Sequence, residues 1–117
     1  MRWGFDDCFL FAADCSWAIK GSDPTPFLRG KWHDKTSAIT FMRENGGPLE
    51  KVCTLLAKRA GILEINPLDA VSGDLGTVIS PGHSEYQSMA CRIDAGWVAR
   101  TEHGFAVIRE ALQAWRV

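Results

Sequence analysis

The stretch WGFDDCFLFAADCSW, residues 3–17, decides the fold, because it contains the start of the clearest helix in the sequence. Alanine, aromatic and leucine residues crowd the chain over 8–20, Asp6 or Asp7 can cap the start, and Gly21 stands where a helix ends. The apolar residues cannot share one narrow stripe, so we expect this helix to lie centrally in the core. Cys8 opens it, either as a nucleophile or as a buried thiol.

Proline and glycine divide the next part of the chain into a loop and two further helices. GSDPTPFLRGKWHDKTS, residues 21–37, contains two prolines and two glycines and predicts an ordered loop. Asp34 or Thr36 can cap a second helix that runs to about Asn45, and Pro48 opens a third that ends near Gly61. Apolar residues at helical spacing predict the buried face of the third helix: Leu49, Val52, Cys53, Leu56 and Ala60.

After residue 70 the chain consists of short runs rich in strand-forming residues. LGTVIS, YQSMACRI, GWVART and GFAVIR are separated by turn sequences, which predicts an antiparallel meander. The final segment REALQAWRV is expected to be helical or irregular. Helices followed by strands favour an α+β fold, and 117 residues fit a single domain spanning 1–117.

Charge and hydropathy exclude several classes of partner. Thirteen basic and fourteen acidic residues give a net charge of -1 without any basic run, so we expect no nucleic-acid partner. The longest apolar stretches, FLFAA and CTLLA, are far shorter than the roughly 20 residues of a membrane helix, so no membrane span is expected. Asp6, Asp7 and Asp14 predict that the first residues are not a signal peptide.

The four cysteines, Cys8, Cys15, Cys53 and Cys91, form no C-x-x-C pair. They are therefore predicted to be free thiols, with Cys15, Cys53 and Cys91 acting as small buried apolar residues. We expect no metal and no cofactor. The alternative is a metal or iron–sulfur site, because Cys8 and Cys15 are seven residues apart on one helical face and tertiary contact could add Cys53 or Cys91.

Cys8 is the candidate nucleophile. A thiol in the first turn of a helix lies near unpaired backbone N–H groups, which favour its thiolate form, whereas Asp6 and Asp7 oppose it. A cysteine hydrolase also needs a histidine as the base. The sequence offers three: His33, His83 and His103.

The order of motifs resembles a known superfamily. A W-G-x-x-D-C motif opening a helix, then SGDLGTVIS, then a strand and a DAGWVA hairpin resemble the NlpC-like cell-wall cysteine peptidases of the papain-like fold. Within that superfamily the chain is most similar to a small uncharacterised family carried in bacteriophage tail gene clusters, on the segments DCFLFAAD, GSDPTPFLRGKW, ENGGPLEKV, AVSGDLGTVIS and AWRV. The resemblance implies amino-terminal helices packed on a carboxy-terminal antiparallel sheet.

Carried across residue by residue, the resemblance places the nucleophile at Cys8 and matches Gly73-Asp74 to the turn before the first core strand. The position of the catalytic histidine falls on Ser88, which cannot act as a base near neutral pH. His83, in the preceding loop, and His103, in a later turn, are the remaining candidate bases. Gln87 and Glu102 are polar candidates for the orienting residue.

The chain contains five tryptophans, an unusual number for its length. Trp3, Trp17 and Trp97 fit core positions, whereas Trp32 and Trp115 are expected to be partly exposed. Aromatic anchors beside arginine are typical of protein interfaces, so we predict a partner-binding surface formed by Trp32, Arg29, Trp115 and Arg116. The loop over 22–34 is expected to cover the cleft beside Cys8 or to contact this partner.

Two functions follow from the resemblance. The first is a phage or prophage tail protein, at the tail tip or in tail assembly, whose degenerate peptidase-like fold binds other tail proteins; it would be made in the host bacterial cytoplasm. The second is an active thiol hydrolase, a peptidoglycan endopeptidase or amidase, in which Cys8 attacks and His83 or His103 takes the proton. A host protein that binds a small ligand in the same cleft is a third possibility.

Overall fold

The computed structural model describes residues 8–79, 87–101 and 104–117, and of Cys8 it describes the backbone alone. Three helices come first: α1 (Cys8–Lys20), α2 (Lys35–Glu44) and α3 (Leu49–Ala60). Six strands follow: β1 (Leu63–Ile65), β2 (Leu75–Ile79), β3 (Gln87–Ile93), β4 (Gly96–Thr101), β5 (Gly104–Ile108) and β6 (Gln113–Arg116). Short 3-10 turns cover Pro26–Leu28 and Pro67–Asp69. The α+β class and the three predicted helices are confirmed.

The helix ends follow from local hydrogen bonding. Of the two candidate caps of α2, Asp34 is the cap: its side chain accepts from the amide of Ser37 at 2.7 Å, and the Ser37 hydroxyl accepts from the amide of Asp34 at 3.1 Å. This reciprocal capping box satisfies donors that the first helical turn leaves unpaired. Gly61 ends α3 with a φ of 72°, a left-handed conformation that favours glycine.

The strands form one antiparallel sheet in the order β1-β6-β2-β3-β4-β5. The predicted meander of β2 to β5 is confirmed, but the expectation of a helical or irregular segment near the carboxyl end is wrong. Gln113–Arg116 form β6, which lies between β1 and β2. Ala114 and Trp115 belong to different apolar clusters, as expected of successive strand residues that point to opposite faces.

Each face of the sheet has its own core. The face toward the helices contributes Leu75, Met89, Cys91 and Trp115, which pack with Ala12 of α1 and Cys53 of α3. The opposite face is covered by a smaller cluster around Trp97, which is 2% exposed. The Trp97 ring lies over Gly76, where an added Cβ would be 2.7 Å from Cζ3 of the ring. Position 76 therefore needs glycine.

α1 is buried on one flank rather than surrounded by the core. Leu10, Ala12, Ala13 and Ser16 are buried. Trp17 is 46% exposed, so its predicted core position is wrong; its ring instead contacts the Arg29 guanidinium, 5.4 Å from the ring centroid. On α3 the burial of Val52, Cys53 and Leu56 is confirmed, whereas Ala60 is exposed because it lines a surface groove.

A fully buried carboxylate joins the helices to the sheet. The side chain of Asp74, in the turn before β2, has no exposed surface. It accepts hydrogen bonds from the amides of Val71 at 2.9 Å and Val117 at 3.1 Å. It also contacts Nζ of Lys20 at 3.2 Å and Nε of Arg116 at 2.9 Å. One side chain thus connects the end of α1, the entry to β2 and the end of β6.

These contacts determine the protonation of Asp74. Burial by itself raises the pKa of the carboxyl group, but the amides of Val71 and Val117 and the cations of Lys20 and Arg116 outweigh burial. The pKa of Asp74 therefore lies below its ordinary value. Asp74 is ionised at neutral pH and stabilises the folded chain in that form.

We expect Asp74→Asn to lower the free energy of unfolding at pH 7 by about 3 kcal/mol, because it leaves two cations without their anion. The carboxylate contribution is complete above the ordinary aspartate pKa of about 3.9 and is lost as the pH falls toward the lowered folded value. Urea unfolding should therefore show that the gap in free energy of unfolding between wild type and variant is smaller at pH 3 than at pH 7. Glu64→Gln, at an exposed site on β1, is the control and should change stability little. A gap that stays constant across this pH range would contradict a stabilising role for the charge.

Candidate functional site at the amino end of α1

α1 lies across β3 and runs in the same direction as that strand. Near its carboxyl end the Ser16 hydroxyl donates to the Gly73 carbonyl at 2.7 Å, and Lys20 contacts Asp74. Cys15 packs against the apolar cluster that includes Cys91, near the carboxyl end of β3. The amino end of α1 therefore lies toward the other end of the strand pair, where β2 ends and β3 begins.

The backbone places position 8 near the start of β3. Cys8 precedes Cys15 by seven residues, about 10 Å of helix, and Gln87 precedes Cys91 by four residues, about 13 Å of strand. Position 8 also lies four residues before Ala12 and seven before Cys15, on the helix stripe that faces the sheet. The first turn of α1 and the first residue of β3 thus lie at the same end of the helix–sheet interface, where the sequence analysis expects the cleft beside Cys8.

The loop after α1 packs against this end of α1 through Trp32. The Trp32 ring packs edge to face on Phe9, with ring centroids 5.8 Å apart. It also packs against Phe41, with ring centroids 5.0 Å apart. Trp32 is 5% exposed and Leu28 is 2% exposed, so the expectation of a partly exposed Trp32 is wrong. The loop is ordered because these two side chains enter the helical core.

The other residues of the predicted partner surface also make contacts within the chain. Trp115 is 3% exposed, contrary to expectation, because β6 is an inner strand and directs this residue toward the helices. Arg29 contacts Asp23 of its own loop at 2.8 Å. It also contacts Asp14 of α1 at 2.6 Å, and this ion pair connects the loop to the helix. Arg116 contacts Asp74. These four residues therefore do not form one exposed aromatic surface.

Gln87 is the polar residue that faces the helices at the start of β3. Its amide nitrogen donates to the Glu50 carboxylate in the first turn of α3. Ser88 pairs with Val78, whose side chain packs on the opposite face of the sheet, so the strand alternation directs Ser88 away from the helices. Ser88 is the residue that the sequence analysis expects at the catalytic-histidine position, but the register gives Gln87 the position facing α1.

The described part of the cleft has a carboxylate and an amide but no imidazole. A glutamine amide does not take up a proton near neutral pH. The buried oxygen of the Gln87 amide has no hydrogen-bond partner among the described residues. His33 is outside the cleft: its side chain is 83% exposed and lies 3.5 Å from the Asp34 carboxylate.

Several predicted site residues lie outside the part that the structure describes. The structure does not describe His83, Glu102 or His103. It does not describe the side chain of Cys8 either. The assignment of His83 or His103 as the base therefore stays a prediction.

The remaining thiols are free and poorly suited to nucleophilic chemistry. Burial raises the pKa of Cys53 and of Cys91 to about 12, which confirms these two as buried apolar residues. Cys15 is half-buried, and burial together with the charge of Asp14 raises its pKa. Within the described ranges, no three His, Cys, Asp or Glu residues lie close enough together to hold a metal ion.

Comparison with known proteins assigns the chain to a family. A family model described as "Domain of unknown function (DUF6950)" matches residues 1–117, so the chain belongs to this family. No curated protein and no solved structure matches it. None of the helices described in the structure has the length and apolar character needed to cross a membrane.

The register predicts that an imidazole at position 87, but not at position 88, activates Cys8. We expect Gln87→His to increase the rate of Cys8 alkylation by iodoacetamide at pH 7 about tenfold, since a nearby histidine lowers a thiol pKa by a unit or more. Ser88→His, the matched control, should leave the rate within about twofold because residue 88 points to the other face of the sheet. Peptide mass mapping measures each cysteine separately. A larger acceleration in the Ser88 variant would contradict the facing assignment.

Proposed function

We propose that this chain is a phage or prophage tail protein, acting at the tail tip or in tail assembly, whose degenerate papain-like, NlpC-like fold binds other tail proteins. The tail role is supported by the resemblance of DCFLFAAD, AVSGDLGTVIS and AWRV to a family carried in tail gene clusters. The papain-like assignment is supported by the amino end of α1 lying beside the start of β3.

The observation that carries a structural role is the composition of the cleft at this junction. In the NlpC-like peptidases that the chain resembles, the cysteine helix and the histidine strand meet there. In this chain the start of β3 has Gln87 toward the helices and Ser88 on the other face, and neither is a base near neutral pH. The absence of a base from positions 87 and 88 favours a binding protein over an enzyme.

The alternative is a thiol hydrolase that cleaves the peptide stems of peptidoglycan. The position of Cys8 at the first residue of α1 favours it, because unpaired helix N–H groups stabilise a thiolate and can stabilise the oxyanion of an attacked carbonyl. His83 or His103 would then supply the base. Glu50 and Gln87 are described polar groups at the start of β3.

A structural role predicts that tail assembly needs the protein but not its thiol. In a phage whose genome encodes this chain, deletion of the gene should abolish complete tails seen by negative-stain electron microscopy, whereas Cys8→Ala should leave tails and plaque counts near the wild-type level. Deletion phages with normal tails and normal infectivity would overturn the proposed role.

A hydrolase predicts thiol-dependent cleavage of cell-wall peptides. Purified wild type and Cys8→Ala are incubated with soluble peptidoglycan fragments, and products are separated by chromatography and identified by mass. The structural proposal expects no new fragments from either sample. Cleavage by the wild type that disappears in Cys8→Ala would establish the enzymatic alternative.

A further inference from the structure

A basic groove lies beside the carboxyl end of α3. It has a volume of about 770 Å³ and runs between the loop over 22–31 and the chain over 56–62. Phe41 and Asn45 of α2 border it, and so do Arg116 and Val117. Its length across several elements suits an extended chain segment.

The lining of the groove is apolar along much of its length. Phe27 is 41% exposed there and Ile62 is half-buried, while the buried side chains of Leu28 and Leu56 also line the groove. An exposed phenylalanine next to leucine and isoleucine is the kind of surface that apolar side chains of a bound segment cover.

The charges of the groove are positive and partly uncompensated. Asp23, its one lining carboxylate side chain, is paired with Arg29 at 2.8 Å, and Arg116 is paired with Asp74 at 2.9 Å. Lys31 has no acidic partner within salt-bridge distance among the described residues, and Arg59 is held by the neutral Asn45 side chain at 3.1 Å. Two cations without a paired carboxylate among the described residues thus flank an apolar surface.

We propose that this groove binds an extended segment of a partner protein in which acidic residues alternate with apolar ones. The inference rests on the proposed tail role and identifies the surface and the partner chemistry. Carboxylates would pair with Lys31 and Arg59 while apolar side chains cover Phe27. Two cations without a paired carboxylate are too few for a nucleic-acid surface, which follows a phosphate backbone with many cations.

The probes are two fluorescein-labelled decapeptides, one of alternating leucine and glutamate and one of alternating leucine and lysine, and binding is followed by fluorescence anisotropy. We expect the acidic peptide to bind at least about tenfold more tightly than the basic one, and its affinity to fall as salt screens the two cations. Equal binding of the two peptides, no binding of either, or tighter binding of a ten-residue thymidine oligonucleotide would overturn the proposal.

The double variant Lys31→Gln/Arg59→Gln tests the surface. The double variant Lys35→Gln/Lys51→Gln is the control, because it makes the same charge change at exposed sites outside the groove. The groove variant should bind the acidic peptide about fivefold to tenfold more weakly, and the control should stay within about twofold of wild type. All four residues are exposed, so circular dichroism should be unchanged. Equal losses in both variants would show a general charge effect and overturn the groove assignment.

The same variants separate this inference from the tail role. If phages with the groove variant assemble complete tails while the gene deletion does not, the groove assignment fails and the tail role stands. If the gene deletion leaves tails intact, the proposed function fails regardless of the peptide-binding result.

Discussion

The fold depends on the buried carboxylate of Asp74. Its four partners come from the end of α1, from the turn before β2 and from the end of β6, which are distant in sequence. Burying an anion is costly unless it is paired and hydrogen-bonded, and here both conditions hold. The Lys20 contact, with the Ser16 hydrogen bond and the apolar packing of Ala12, holds α1 in its orientation on β3 and Cys8 at the start of that strand.

Local signals predicted the parts of the fold that they control. Asp34 with Ser37 caps α2, Gly61 ends α3, and turn sequences separate β2 to β5, all within a few residues along the chain. β6 escaped prediction because its strand conformation comes from pairing with β1 and β2 rather than from its own residues. The burial of Trp115 was missed for the same reason.

The candidate site was predictable only where one motif defines it. Cys8 follows from the sequence because it opens an apolar helix, but the facing residue of β3 depends on register, which distinguishes Gln87 from Ser88 by a single residue. Glu50 was missed because its contact with Gln87 spans 37 residues. The groove at Lys31 and Arg59 likewise brings together a loop and a helix end that no sequence motif connects.

The central position of β6 also constrains how the chain is made. During synthesis on the ribosome, β2 and β3 emerge long before residues 113–116, yet the edge of β2 that β6 will occupy stays open until then. The carboxylate of Asp74 likewise lacks two of its partners, the Arg116 guanidinium and the Val117 amide, until these residues emerge. During synthesis the sheet therefore stays incomplete until residues 113–116 have left the exit tunnel and can pair with β1 and β2.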